Sequence, residues 1–358
     1  MSSDLRFDRL SVSIFGESHG AGIGVVIDGL PGGKTIDFDQ ILEFMARRAP
    51  KKDGISTRRN EKDLPEILSG VFNGKTTGTP LAAVIRNTDQ HSADYGNLST
   101  VARPGHADYT GAVHYRYAND PRGGGHFSGR LTAPLVFAGA VCGQLLKEYG
   151  IFSGAHILGI GKVSDDRFDP VSLSRETLDG IKKKDFPLLN SDREEEMKAV
   201  VRAASAELDS VGGRIECAVI GLKPGIGSPM FDGLENRIAQ AVFGIPAIKG
   251  LEFGAGFGFS EMRGSEANDR FTTDGETIRT ETNHNGGILG GISSGMPILF
   301  TAAVKPTPSI AQPQQTVDYI KKENTVLKIK GRHDACVVPR AVPCIEAAAN
   351  IAVLSYLL

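Results

Sequence analysis

Residues 133–148 read APLVFAGAVCGQLLKE, and apolar or small side chains cover nearly every side of the helix this stretch would form. A helix with one apolar stripe lies on a surface, whereas one that is apolar all round has to be covered all round. Gly150 follows, where a helix C-terminal cap belongs. The stretch therefore predicts a central helix with covering layers. Candidate layers lie on both sides of it in sequence. Residues 151–161 and 214–220 read as strands, the second alternating Ile215, Cys217 and Val219 with polar or small neighbours. Residues 10–30 read as two short strands around the loop FGESHGAG, with Val25, Val26 and Ile27 in the second.

Helices complete the pattern. Asp37 can cap a helix with Gln40 at its third position, and Phe38, Ile41, Leu42 and Met45 then fall on one face, with Arg47 and Arg48 closing it. Met197, Val200, Val201, Ala204 and Leu208 mark another amphipathic helix. Residues 343–358 run apolar to the last residue, with Pro343 placed in the first turn of a helix that docks internally or in an oligomer contact. VVIDGLPGG before the helix at residues 38–48 and CAVIGLKPGIG before a helix at residues 234–243 echo one another as a possible strand-turn-helix duplication.

Composition sets the outer bounds. The chain has 358 residues, a net charge of −2 and 44 glycines, with no low-complexity tract to absorb the glycine. That excess implies tight turns and close backbone approaches. Near-neutral charge without a basic stripe argues against nucleic acid and anionic membrane as partners. The first residues, MSSDLRFDRL, lack a basic segment followed by an apolar one, which favours the cytoplasm. Cys142, Cys217, Cys336 and Cys344 have no metal-site spacing and read as reduced, buried thiols, and no histidine cluster suggests a metal.

The chemistry concentrates in six loops: FGESHG (15–20), RPGHADYTG (103–111), DPRGGGHFSGR (120–130), TNHNGGILGGISSG (282–295), VKPTPSI (304–310) and GRHDAC (331–336). Glycine-rich backbone offers N–H groups to anions, and His, Arg and Asp add charge and proton transfer. Several arginines converging would suit a substrate carrying phosphate and carboxylates, because the planar guanidinium binds each bidentately. Taken singly, His19 and His106 fit either an acid–base or a hydrogen-bonding role, and Asp334 fits a simple pairing with its neighbours Arg332 and His333. No phosphate loop of the kinase type and no nucleophile elbow is present.

Together and in this order, FGESHG, RPGHADYT, RGGG, the NHNGGILGGISSG run, KPTPSI and GRHD resemble the chorismate synthase family, over residues 7–356. The resemblance implies an α+β fold, a β-α-β sandwich with helices between antiparallel sheets, formed by one domain over residues 1–358. It also implies a homotetramer. The family reaction is an anti 1,4-elimination of phosphate from 5-enolpyruvylshikimate-3-phosphate, giving chorismate with no net redox change although reduced FMN is required.

Carried onto matching positions, the resemblance gives His19 as the group protonating the departing phosphate and His106 as support for the reduced flavin. Asp334 matches the aspartate working with the flavin on the C6 proton. Arg48, Arg103, Arg130 and Arg332 match positions binding substrate or flavin, and Arg48 is also linked to NADP. FMN contacts are expected from His126, Phe127, Ser128, Pro246, Ala247, Gly290, Lys305, Pro306, Thr307, Pro308, Ser309 and Arg332. Some members reduce their flavin with NADPH; the compact length here favours an external flavin reductant. Two departures stand out. RGGGHFSGRLT replaces the commoner RGGGRSSARET, and Ala49 and Gly54 thin an arginine-rich stretch, with Lys51 and Lys52 as point charges nearby. The rival readings are an NADPH-consuming flavin oxidoreductase on the same scaffold and a non-catalytic anion-binding or RNA-associated protein that uses the arginine–glycine loops.

Overall fold

The computed structural model describes residues 3–49, 63–87, 100–329 and 334–358. The predicted central helix spans Thr132–Glu148, and thirteen of its residues, from Thr132 to Leu146, are buried. Its partner is the C-terminal helix Val338–Leu354, buried over nearly its whole length. Small residues set the distance between them. A Cβ on Gly139 would stand 2.2 Å from the Cβ of Ala347, so only glycine allows this approach. Asn350 Nδ2 donates to the Gly139 carbonyl at 3.1 Å and locks the crossing.

The C-terminal helix begins five residues before the expected start at Pro343. Pro339, not Pro343, occupies the first turn, and Pro343 lies inside the helix. The N–H that Pro343 lacks would have served the carbonyl of Pro339, still within the first turns, so the break is tolerated there. The amphipathic helix around Met197 spans Glu194–Ala206. Leu208 falls outside it, in left-handed backbone and half exposed.

Two antiparallel sheets enclose the helix pair. The first has the order Asp4–Arg6, Ser11–Gly16, Gly22–Asp28, Leu81–Arg86, Pro65–Ser69. The second has the order Ile248–Phe253, Ile298–Val304, Gly213–Ile220, Phe152–Ile160, Val163–Ser164. The central helix meets the first sheet and the C-terminal helix the second. This β-α-β layering matches the α+β expectation. Valine and isoleucine in the strands point inward, and one hydrophobic cluster joins both sheets to the helices. Burying each large side chain such as Phe137 or Ile157 contributes roughly 1.5–3 kcal/mol.

In each sheet a middle strand leads through a glycine–proline turn to a helix, Gly22–Asp28 to Phe38–Ala46 and Gly213–Ile220 to Leu234–Phe243. The Asp37 cap forms as read: its carboxylate accepts from Gln40 N at 3.1 Å. The helix Gly129–Glu148 region that is apolar enough to cross a membrane lies inside this sandwich. All four cysteines are free and buried, and burial pushes the Cys142 and Cys336 thiols up to about 12.

Candidate active site

The ends of the central helix, the first helix and the C-terminal helix meet one cavity of about 950 Å³. Around it the sandwich gathers loops far apart in sequence. Among the described residues, Arg48, Arg103, Arg130, Lys249, Lys305 and Arg340 line it beside the carboxylates of Asp4, Asp63 and Asp334, so cations outnumber carboxylates in the lining.

The most ordered corner is built from RPGHAD. Arg103 grips Asp108 with Nε at 2.7 Å and Nη2 at 2.7 Å, and its Nη1 lies 3.2 Å from Ser309 Oγ. His106 Nδ1 stands 2.6 Å from Asp108 Oδ1. A carboxylate only accepts, so Nδ1 carries hydrogen and Nε2, 3.3 Å from Arg103 Nη2, is the accepting nitrogen. Burial alone would raise the Asp108 carboxyl, but hydrogen bonds from Arg103 and His106 hold it far below the usual carboxylate range.

Above His106 lies the RGGG loop. Gly123, Gly124 and Gly125 are all left-handed, at φ of 60°, 85° and 54°. A Cβ on Gly124 would come 3.2 Å from His106 Nε2, and one on Gly123 would overlap the His19 ring at 2.1 Å. His19 is therefore packed behind Gly123, buried, and does not line the cavity. The departure at His126 has a physical role: its Nδ1 is 2.7 Å from the Gly16 carbonyl and its Nε2 accepts from Ser3 Oγ, which ties the glycine loop to FGESHG. Phe127 packs against Gly111 and 6.2 Å from the Tyr115 ring, putting an aromatic wall where the commoner sequence has serine.

A second corner joins Arg48 and Arg130 through Asp63. Arg48 Nη1 reaches Asp63 Oδ2 at 2.7 Å, and Arg130 Nη1 pairs with Asp63 Oδ1. Burial would raise this carboxyl, but the two guanidinium groups outweigh it and hold it below its ordinary value. Asp334 is 9 % exposed and pairs with Arg340, whose Nε donates to the Arg48 carbonyl at 3.0 Å.

Ser128, Pro246, Ala247, Lys305, Thr307, Pro308 and Ser309 also line the cavity. Lys305 Nζ bonds the Gly105 carbonyl, and burial together with nearby Lys249 lowers its amine from the ordinary value. Pro306 is not among the lining residues, and Gly290 turns a separate hairpin between Ile288–Leu289 and Ile292–Ser293. Arg332, Lys51, Lys52 and Gly54 lie outside the described residues. Sequence reasoning missed Asp63, Asp108, Lys249 and Arg340. Asp108 had a signal, standing two residues after His106; Asp63 and Arg340 had none.

Comparison with known proteins fits this arrangement. The family model described as chorismate synthase matches residues 10–358. The chain belongs to the chorismate synthase family. A chorismate synthase of Thermococcus kodakarensis is 43% identical over 99% of this chain and 97% of its own. One from Methanothermobacter thermautotrophicus is 44% identical, covering 98% and 93%. A crystal structure of chorismate synthase superposes with a TM-score of 0.76 at 29% identity, over 99% of this chain and 92% of that one. Family membership makes the protein an enzyme of aromatic amino acid biosynthesis, forming chorismate from 5-enolpyruvylshikimate-3-phosphate.

Proposed function

We propose that this cavity is where phosphate is eliminated, in a carbon–oxygen lyase reaction. The observation that carries the reading is convergence: six cationic side chains and His106 share one wall, as a substrate with a phosphate and two carboxylates requires. The residues also fit a flavin mononucleotide. Lys249 and Lys305 supply donors for a phosphate, and the cavity beside His106 and Phe127 is large enough for a flat ring. When bound, reduced FMN supplies electron density as the C–O bond breaks and recovers it as the C6 hydrogen leaves.

The chain's own groups do the rest. Arg48, Arg103, Arg130 and Arg332 hold the substrate's anionic groups. Asp108 fixes the His106 tautomer, so a proton is held or released at Nε2. His19 gives a proton to the departing phosphate, a role that needs the Gly123 loop to shift, since that glycine covers the ring. Asp334, held by Arg340, receives the C6 proton. We place the enzyme in the cytoplasm as a homotetramer fed by an external flavin reductant, with no NADPH consumed at the site.

The deciding experiment is anaerobic phosphate release from 5-enolpyruvylshikimate-3-phosphate with photoreduced FMN and no NADPH. Equal yields of phosphate and chorismate, many per flavin, are expected. No product at saturating substrate would overturn the reading, and stoichiometric nicotinamide oxidation on adding NADPH would make the protein an oxidoreductase instead.

A further inference from the structure

Asp63 is an unusual place for a carboxylate. Its side chain is 2 % exposed, and its backbone is left-handed at φ 45°, a conformation that non-glycine residues adopt rarely and aspartate more readily than most. The chain then enters the strand Pro65–Ser69, where Pro65 pairs with Ile85. The carboxylate thus sits two residues before an edge strand of the first sheet.

Each of its oxygens serves a different arginine from a different segment. Arg48 follows the helix Phe38–Ala46, and Arg130 precedes the helix Thr132–Glu148. Both guanidinium groups have a second, uncharged anchor. Arg48 Nε donates to Thr132 Oγ1 at 2.8 Å and its Nη2 to the Gly129 carbonyl at 2.9 Å. Arg130 Nε donates to Asn87 Oδ1 at 3.2 Å. Asp63 is the charged anchor they share, and without it two buried cations would face each other across a few ångströms and repel.

We propose that Asp63 is a positioning residue of the substrate site: its carboxylate sets Arg48 and Arg130 as one fork on the cavity wall. The fork presents donors at fixed spacing to an incoming anion. This rests on the substrate-binding reading of the cavity. It makes a distinct demand, because a carboxylate that only supported the fold would leave turnover of folded enzyme intact.

The test is Asp63→Asn, which keeps size and loses charge, beside Asp63→Glu, which keeps charge. Turnover is read anaerobically with photoreduced FMN, and affinity for 5-enolpyruvylshikimate-3-phosphate by calorimetry without turnover. Folded Asp63→Asn should lose about 10²-fold in kcat, the scale of a misplaced binding group. Its substrate affinity should stay within about threefold, the added charge offsetting the lost geometry. Asp63→Glu should recover to within about tenfold of the parent. Arg130→Lys should cost far less in the Asp63→Asn background than in the parent, because coupled residues are not additive. A kcat within threefold of the parent for folded Asp63→Asn would overturn the proposal, as would additive losses. If Asp63→Asn does not fold, the same cycle made with Asp63→Glu decides, additivity again overturning it. A parent enzyme that turns over no substrate would instead sink the cavity assignment; the calorimetric cycle then still judges Asp63.

Discussion

Arg48, Asp63 and Arg130 set two cations around one carboxylate on an open cavity wall, whereas a second buried cluster, whose residues do not line that cavity, sets two carboxylates around one imidazole. In that second cluster His156 Nδ1 lies 3.0 Å from Asp165 and Nε2 3.0 Å from Glu216, and the ring is fully buried edge-on to Phe168. Asp165 accepts from the N–H groups of Leu189 and Asn190, and Glu216 from Phe168 N and Arg167. Every charge there is compensated from within the protein. At the cavity wall, among the described residues, cationic side chains outnumber carboxylates. Burial of charge is common to both; a lining richer in cations and facing open space is what an anionic substrate can complete.

The largest break in this comparison should come from His106, the imidazole that does face the cavity. His106→Ala is expected to slow turnover by about 10²–10⁴-fold while melting within a few degrees of the parent. An effect below threefold with FMN saturating would remove His106 from proton transfer and leave the wall purely a binding surface.

The opposite pattern is expected of the closed cluster. Asp165→Ala removes one partner of a buried pair and should cost about 3–5 kcal/mol of stability in denaturant unfolding, with kcat of the folded fraction unchanged. A fall in kcat without a fall in stability would show that the second sheet reaches the chemistry, and the contrast between the clusters would fail.

The two clusters also differ in how far the sequence betrayed them. RPGHAD and RGGG announced the cavity, because glycine beside His and Arg is uneconomical in a core and useful around a ligand. The central helix was legible for the complementary reason: sixteen residues with no polar face leave only a sandwiched position. Asp63 was illegible because its meaning depends on two arginines 15 and 67 residues away, brought together only by the layering of sheet and helices. Arg340 sits in an otherwise apolar run, and its pairing with Asp334 appears only once the C-terminal helix is known to start at Val338, before Pro343. His156, one side chain in a strand that otherwise reads as core, gave no sign of its two carboxylates.

The smallest expected effect sharpens the comparison without deleting any group. Burial alone would lower the His156 imidazole, but its bonds to Asp165 and Glu216 outweigh burial and hold it above its ordinary value. A raised folded value means that this contribution to stability is complete below the unfolded value of about 6.5 and is lost as pH climbs through the folded one. Asp165 works in the other direction. Burial would raise it, but the His156 bond and two backbone N–H groups hold it low, so its contribution is complete above about 3.9 and is lost as pH falls further. The cluster should therefore support the fold most fully between those limits. Melting temperatures followed from pH 4.5 to 9 should show the parent's advantage over His156→Gln shrinking on the alkaline side. An advantage that grew toward pH 9 would mean the imidazole is neutral in the folded protein, and the closed cluster would then hold two carboxylates with no buried cation between them.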